Sequence, residues 1–114
     1  MVGLYPHWAE IEKIKNQLLE KYHPEDIILF GSCAKGRVTR KSDIDLCVIM
    51  DTDDRRKLLQ EMLLELDYVL DLDIVIITPQ MWETTKDNKA TFANTINRTG
   101  VSLIGEKENR SSNV

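Results

Sequence analysis

Two aspartates separated by one residue are the first feature of the sequence with a chemical use. Asp43 and Asp45 begin the otherwise apolar segment DIDLCVIM. Side chains two apart on a β-strand point to the same face, so a strand here would place both carboxylates together, with Cα atoms about 6.5 Å apart. Like charges so placed repel each other, and a divalent cation relieves the repulsion because hard cations take oxygen ligands. A solvated strand end with two exposed acids is the alternative that this pair alone leaves open.

A glycine-bearing segment just upstream could bind phosphate. Gly31 and Ser32 directly follow an apolar run, and Gly36 comes soon after. Glycine allows positive φ and close approach of a ligand to the main chain. A helix beginning near Ser32 would present free N–H groups and its positive dipole end to an anion. Basic side chains that could neutralise phosphate oxygens follow: Lys35, Arg37, Arg40 and Lys41. An ordinary connecting loop has the same residue types, so this segment alone is weak evidence.

Hydrophobic periodicity indicates the elements that must position these residues. Helical spacing predicts a first helix with the apolar stripe Trp8, Ile11, Ile14, Leu18, Leu19 and Tyr22. His23-Pro24 ends this helix, since the residue before a proline avoids the α region. Strands are predicted at 27–30, 43–50, 73–78 and 101–104. Helices lie between them, and the last helix ends near Gly100. Strands that alternate with helices around one core indicate the α/β or α+β class.

Length and composition limit the class of protein. The 114 residues suit one domain with one core, placed at 1–105 and followed by a polar tail at 106–114. A formal net charge of −4 argues against broad, charge-driven binding of nucleic acid. No apolar run approaches the ~20 residues that cross a bilayer. The N-terminal segment lacks the blocks of a signal peptide, so a cytoplasmic protein without membrane contact is expected.

Residues outside these segments are expected to be structural. Cys33 and Cys47 lack a metal-ligand spacing and are expected to be reduced, partly buried thiols. His7 and His23 flank the first helix and are expected at the surface or at helix ends, since neither has a ligand partner at a useful spacing. Trp8 lies on the apolar stripe and is expected in the core.

Together, the aspartates and the glycine-bearing segment form a pattern far more specific than either. Six positions fit it at once: Gly31, Ser32, Gly36, Ser42, Asp43 and Asp45. At roughly 5–7% usage per residue type, a chance match in one register is on the order of 10⁻⁷. The segment GSCAKGRVTRKSDIDLCVI resembles the signature of the polymerase-β-like nucleotidyltransferases. The layout from about Ile27 to Ile104 is similar to that of the minimal nucleotidyltransferases of bacteria and archaea. The resemblance implies that family's core, a small mixed β-sheet flanked by helices.

The resemblance also implies a third carboxylate on the next core strand. The segment LDLDIVIITP offers two candidates, Asp71 and Asp73. Asp73 fits the family pattern better, because it is followed directly by the buried run at 74–77. Asp71 lies at the entrance of the strand and is expected to be a solvated or capping acid.

The resemblance implies Mg²⁺-dependent transfer of a nucleotide, with ATP or another nucleoside triphosphate as donor. Asp43 and Asp45 would hold the ion that grips the triphosphate and would share a second Mg²⁺ with Asp73. Asp73 would lie nearest the attacking hydroxyl and could accept its proton. The implied nucleotide-binding residues are Gly31, Ser32, Lys35, Gly36, Arg37 and Ser42.

The acceptor is suggested only by the family. Many minimal nucleotidyltransferases are encoded beside a HEPN-domain protein, and such pairs act as toxin–antitoxin modules. The resemblance therefore implies an antitoxin that transfers AMP to a tyrosine of its HEPN partner. Two alternatives stay open. One is a small-molecule transferase of the antibiotic-modifying type, and the other is an antitoxin whose nucleotide site is vestigial and which acts by binding alone.

Overall fold

A four-stranded mixed sheet with helices on both faces positions the candidate residues, and this confirms the predicted fold class. The computed structural model describes residues 7–39 and 41–104. The elements are α1 (His7–Tyr22), β1 (Asp26–Phe30), α2 (Gly31–Ala34), β2 (Ile44–Ile49), α3 (Arg55–Glu65), β3 (Leu72–Ile77), α4 (Pro79–Thr85), α5 (Phe92–Thr99) and β4 (Val101–Ser102). Arg40, the domain boundary at 105 and the predicted tail at 106–114 lie outside the described residues.

The strand order is β3-β2-β1-β4, so the strands that carry the predicted acids are neighbours. β1 pairs antiparallel with β2 and with β4, whereas β2 and β3 run parallel and are joined through α3. The register places Phe30 opposite Asp45 on one side and Asp73 opposite Asp45 on the other. Directly paired residues share a face of the sheet, so these three side chains form one row across β1, β2 and β3.

Alternation along the strands divides the interior into two layers. The first layer packs the sheet against α1, α2 and α3, and its largest fully buried members are Ile14, Leu18, Ile27, Leu29, Ile44, Leu46, Val48 and Met62. The second layer packs the opposite face against α4 and α5, through Ile28, Cys47, Ile49, Ile77, Ala93 and Ile96. Phe30, Val75 and Trp82 pack against this second layer. Since Phe30 and Asp45 are paired, the acidic row lies on the face of the second layer.

Short polar side chains begin three of the helices. Asp54, Thr78 and Thr91 each accept a hydrogen bond from a backbone N–H in the first turn of α3, α4 and α5. Such caps satisfy donors that the helix itself leaves unpaired, and a lost cap costs about 1 kcal/mol. The cap at Asp54 marks where α3 begins. At the other end, the N–H of Gly100 bonds to Ile96 and closes α5 where the sequence predicts.

The structure differs from the sequence prediction at the start of α1. Trp8 is 41% exposed, so its expected place in the core is wrong. His7 is only 1% exposed, so a surface position is wrong for it, although it lies at the start of α1, the helix end that the sequence also allows. The helical repeat of 3.6 residues places four side chains on one buried stripe of α1: His7, Ile11, Ile14 and Leu18. Trp8 lies about 90° from the centre of this stripe. His23 agrees with its prediction, because it is exposed and ends α1 with φ of 53°.

No helix within residues 7–39 and 41–104 is long and apolar enough to span a membrane.

Candidate active site

Asp45 and Asp73 meet on adjacent parallel strands. They are direct partners in the β2–β3 register, and their side chains lie within hydrogen-bonding range of each other. The pKa of Asp45 is raised from 3.8 to about 6, first by burial, then by the charges of Asp73 and Asp43, and last by a hydrogen bond that the protonated Asp45 carboxyl donates to Asp73. A carboxyl in this state holds its charge at a cost, and a bound cation would remove that cost.

Asp43 stands at the edge of this pair. β2 begins at Ile44, one residue later than predicted, and Asp43 precedes it with an exposed side chain. Its charge still acts on Asp45 and raises the pKa of that carboxyl. Among the described residues, however, no three His, Cys, Asp or Glu side chains are grouped so that they could hold a metal ion together. The metal site formed by Asp43, Asp45 and Asp73 therefore stays a prediction.

Cationic partners are also missing from the acidic row in the described part of the chain. The ion pairs there are Lys13–Glu10, Lys15–Glu12 and Lys86–Glu83. None of them includes one of the three aspartates, so no side-chain cation within residues 7–39 and 41–104 compensates the charges of the row. Carboxylate oxygens without such a partner are the donor set that Mg²⁺ prefers. The chemistry of these residues therefore fits a divalent ion.

Asp71, the rejected candidate, has a different place. Its side chain is exposed, and its carbonyl oxygen accepts a hydrogen bond of 2.9 Å from the N–H of Ile44. It is Asp73, two residues along, that pairs with Asp45. The structure therefore assigns Asp71 to the backbone pairing of β2 and β3, and the expectation of a solvated acid is confirmed.

Gly31 makes the tightest approach to the acidic row. The chain leaves β1 at this residue with φ of +76°, a conformation that glycine adopts without strain. A Cβ at this position would overlap Oδ2 of the Asp45 carboxylate. Gly31 is thus required twice, once for the turn into α2 and once for the space beside Asp45. It brings the backbone at the start of α2 against the acids, as the family pattern requires.

The remaining predicted nucleotide-binding residues surround α2. Ser32 is half-buried on α2, and its carbonyl oxygen accepts the N–H of Arg37 at 3.0 Å. Gly36 turns the chain with φ of +76°, and nothing would contact a Cβ there within 4 Å. Lys35 and Arg37 are exposed on either side of it. Their charges are accessible to a ligand, although the structure does not test that role.

Ser42 has a structural use that the sequence did not indicate. The Ser42 hydroxyl accepts a hydrogen bond of 2.8 Å from the N–H of Thr39, and the N–H of Ser42 donates to the carbonyl oxygen of Thr39 at 3.1 Å. These bonds fold the chain just before β2. The hydroxyl is therefore already engaged within the turn, and its predicted contact with the nucleotide remains untested.

Helix α1 holds the segments that lead into β2 and β3. His7 Nε2 lies 3.0 Å from the carbonyl oxygen of Ser42, the residue before Asp43. Glu10 Oε2 accepts the backbone N–H of Val69 at 2.5 Å and that of Leu70 at 3.3 Å. Gln17 makes two further bonds of 2.8 Å to the backbone of Asp67. One helix face thus fixes both approaches to the acidic row.

Glu10 is charged in this setting although it is only 6% exposed. Burial by itself raises its pKa, but hydrogen bonds from Val69, Lys13 and Leu70 favour the carboxylate, and the net pKa is lowered. His7 and Glu10 are the functional candidates that sequence reasoning missed. The signal was available, because both lie on the buried stripe of α1, where a polar residue needs a partner.

The two thiols are buried as expected, one in each layer. Cys33 Sγ donates to the carbonyl oxygen of Asp43 at 3.4 Å. Burial, and then the charges of Asp45 and Asp43, raise the pKa of Cys33. Burial and the charge of Asp26 raise the pKa of Cys47 to about 12. Both groups stay protonated near neutral pH, so neither is a ready nucleophile or metal ligand.

Comparison with known proteins agrees with this arrangement. The family model described as "Nucleotidyltransferase domain" matches residues 11–92. Two curated proteins of Methanocaldococcus jannaschii are similar. "Putative protein adenylyltransferase MJ1379" is 36% identical over 70 residues, which cover 60% of this chain and 70% of that protein. "Putative protein adenylyltransferase MJ0604" is 39% identical over 64 residues, which cover 54% of this chain and only 52% of that protein.

A solved structure shows the same fold. It is described as a "putative nucleotidyltransferase from Sulfolobus solfataricus" and superposes with a TM-score of 0.53, over 83% of this chain and 77% of that one. At 16% identity this likeness concerns the fold alone. The family match is independent of it and includes the Gly31 turn, Asp45 and Asp73. The chain therefore belongs to the nucleotidyltransferase domain family.

Proposed function

We propose that this protein transfers AMP from ATP to a hydroxyl group of another protein. The observation that carries the proposal is the meeting of Asp45 and Asp73 beside the backbone of Gly31. This arrangement sets two acids against a glycine turn, and the Asp45 carboxylate approaches the backbone of that turn closely. The names of the two curated relatives support a protein as the acceptor.

The reaction forms one bond and breaks another at the α-phosphorus of ATP. The acceptor oxygen attacks that phosphorus, the bond to the oxygen bridging the α- and β-phosphates breaks, and pyrophosphate leaves with the bonding electrons. Asp73, on the outermost strand of the acidic row, accepts the proton of the attacking hydroxyl. Mg²⁺ held by Asp43, Asp45 and Asp73 would neutralise the charge on the attacking and leaving oxygens.

The glycine turn and α2 receive the leaving phosphates. Gly31 lets the triphosphate approach the main chain, where Ser32 adds a hydroxyl donor. The exposed cations of Lys35 and Arg37 balance the charge of the pyrophosphate as it departs. This side of the site binds and orients the donor, and the Asp73 side meets the acceptor.

We assign the acceptor to a tyrosine of a HEPN-domain partner, so that the protein acts as an antitoxin. The support is the resemblance of the chain to the minimal nucleotidyltransferases, together with the protein acceptor in the names of its relatives.

Mass spectrometry of the partner tests this function. The protein encoded by the neighbouring gene, the proposed HEPN partner, is incubated with this protein and Mg²⁺-ATP, and we expect its mass to rise by one or more AMP units. Asp45→Asn and Asp73→Asn should prevent the modification, whereas Asp71→Asn should retain it, because the Asp71 side chain is exposed and outside the row. An unchanged mass of the partner, or full activity of Asp45→Asn, would refute the proposal.

One observation favours a second candidate, an antitoxin that acts by binding alone. Asp43 does not join the other two acids in a group of three that could hold a metal within the described residues. A thermal shift assay with Mg²⁺-ATP separates the two candidates. A functional site should raise Tm in wild type and less in Asp45→Asn, because a ligand that binds the folded state stabilises it. Equal shifts in both proteins would favour the binding role.

A further inference from the structure

An apolar cavity of about 290 Å³ opens on the same face of the sheet as the acidic row. Its floor is Val75 and Ile77 of β3, and its walls are Met81 and Thr85 of α4 together with the start of α5 at Thr91, Phe92 and Ala93. Arg55 stands at its rim, within 3.4 Å of the carbonyl oxygen of Ile76 and 3.7 Å of Met81 Sδ. Met81 and Phe92 remain 41% and 55% exposed, so the cavity presents two large apolar side chains to solvent.

The cavity adjoins the acids at two points. Val75 is two residues beyond Asp73 on β3, so both side chains point to one face about 6.5 Å apart along the strand. Phe92 packs edge-on against Phe30, with ring centroids 5.7 Å apart, and Phe30 is the direct partner of Asp45. The floor and one wall of the cavity therefore continue directly into the row.

The position of the cavity decides which reactant it can take. Attacking and leaving oxygens lie roughly in line through the transferred phosphorus. In the sheet order β3-β2-β1, the phosphate-binding turn at Gly31 follows β1, and the cavity lies over β3 on the other side of Asp45. A group that occupies the cavity is therefore on the Asp73 side of the row, the side that the proposed function gives to the attacking hydroxyl. This favours the acceptor over the base of the nucleotide.

We propose that this cavity is the acceptor subsite and that it selects an aromatic hydroxyl, the side chain of a tyrosine. The inference rests on the proposed function and names the residues that set its acceptor. Serine and threonine have too little apolar surface to fill an apolar cavity of this size, whereas a phenol ring fills it and carries its hydroxyl beyond the ring. With the ring between Val75 and Phe92, the hydroxyl points toward Asp73.

Binding can be measured without catalysis. Methyl NMR spectra are recorded while N-acetyl-tyrosinamide, N-acetyl-phenylalaninamide or N-acetyl-serinamide is added. We expect the two aromatic probes to shift the methyl signals of Val75, Ile77 and Met81, and the serine probe to leave them in place. The methyls of Leu64, which is 85% exposed on α3, serve as the control. Absence of these shifts, equal shifts with the serine probe, or the same shifts with Mg²⁺-ATP alone would overturn the proposal.

Variants then connect the cavity to transfer. Val75→Phe fills it, and Leu64→Phe places the same ring at an exposed position. Met81→Glu puts a charge into the wall, and it keeps the fold because an acid suits the first turn of α4. We expect Val75→Phe and Met81→Glu to lower kcat/KM for a tyrosine acceptor by about tenfold, with the affinity for Mg²⁺-ATP unchanged. Unchanged kcat/KM in both variants, or an equal loss of ATP affinity, would overturn the subsite.

The two levels of the proposal fail separately. If wild type transfers no AMP to any acceptor, the proposed function fails, and the NMR titration still decides whether the cavity binds an aromatic side chain. If wild type transfers AMP to serine as well as to tyrosine, and the cavity variants have the same kcat/KM as wild type, the transferase activity is supported and the acceptor subsite is refuted.

Discussion

The two sides of the acidic row are built differently. On the β3 side, Asp73 stands on a strand whose backbone pairs with β2, and α1 holds the approach to that strand through the buried carboxylate of Glu10. On the phosphate side, Lys35 and Arg37 are exposed on a loop that leaves the four-residue helix α2. The comparison teaches that packing and hydrogen bonds within the fold hold the acids in place, whereas the side chains of Lys35 and Arg37 are left exposed to solvent. Substitutions can test this division from either side.

The largest effect is expected where the two sides meet, at Gly31. Gly31→Ala combines a positive φ with overlap between the new Cβ and Asp45, so we expect a loss of about 3 kcal/mol in stability together with loss of transfer. Gly36→Ala has the same φ and open space around it, so it should cost only about 1 kcal/mol. Urea unfolding measures both variants. Equal losses of unfolding free energy in the two variants would show that the Asp45 side chain can move aside. The fold would then not hold the acids in a fixed position.

A smaller effect should follow from Glu10, on the β3 side. Glu10→Gln weakens charged hydrogen bonds to Val69 and Leu70, and we expect it to lower the free energy of unfolding by about 1.5–3 kcal/mol. Amide exchange at both residues should become faster. The matched control is Glu12→Gln, which breaks one surface ion pair with Lys15 and should cost less than about 0.5 kcal/mol. A similar cost in both variants would mean that α1 does not hold the approach to β3.

The pKa of Glu10 sets the pH dependence of this contribution. Its folded pKa lies below the ordinary value of 4.5, so its stabilisation is present above pH 4.5 and is lost as pH falls through the folded pKa. The difference in unfolding free energy between wild type and Glu10→Gln should therefore shrink on acidification. A difference that stays constant down to low pH would contradict the assignment.

The contribution of Asp45 to stability should change with pH in the opposite direction. Its pKa is 3.8 unfolded and about 6 folded, so between these values the folded chain holds a proton that the unfolded chain has lost. The metal-free protein should lose stability as pH rises from 3.8 to about 6, and the loss should level off above that range. Subtracting the Tm profile of Asp45→Asn from that of wild type isolates this effect. A flat difference would indicate that Asp45 and Asp73 are not crowded.

The smallest effect is expected at Ser42, on the phosphate side. Its hydroxyl is engaged in the turn with Thr39, so Ser42→Ala should cost about 1 kcal/mol of stability. The affinity for Mg²⁺-ATP, measured by calorimetry, should change little, in contrast to the role implied by the family resemblance. A large loss of ATP affinity with unchanged stability would restore Ser42 as a ligand of the nucleotide.

The sequence predicted where Asp45 and Asp73 lie but not the contacts that hold them, and the catalytic and metal-binding roles of these acids stay predictions. A period of two and the family pattern were sufficient to select Asp45 and Asp73, because strand register follows from which face is buried. His7 and Glu10 could not be found in that way, since their partners lie 35 and 59 residues away and depend on how α1 docks. The cavity was equally hidden, because Val75, Met81 and Phe92 come from three elements. The structure also packs Trp82 against the second layer, a contact that its position in the sequence does not predict.

The protected thiols give each layer of this protein its own internal reporter. Cys33 lies in the layer with α1 and α3, and Cys47 lies in the layer with α4 and α5. Only a thiolate attacks an alkylating reagent, so each cysteine reacts only when its own layer opens to solvent and the thiol can ionise. The labelling rates of the two cysteines would therefore show which half of the molecule loosens first.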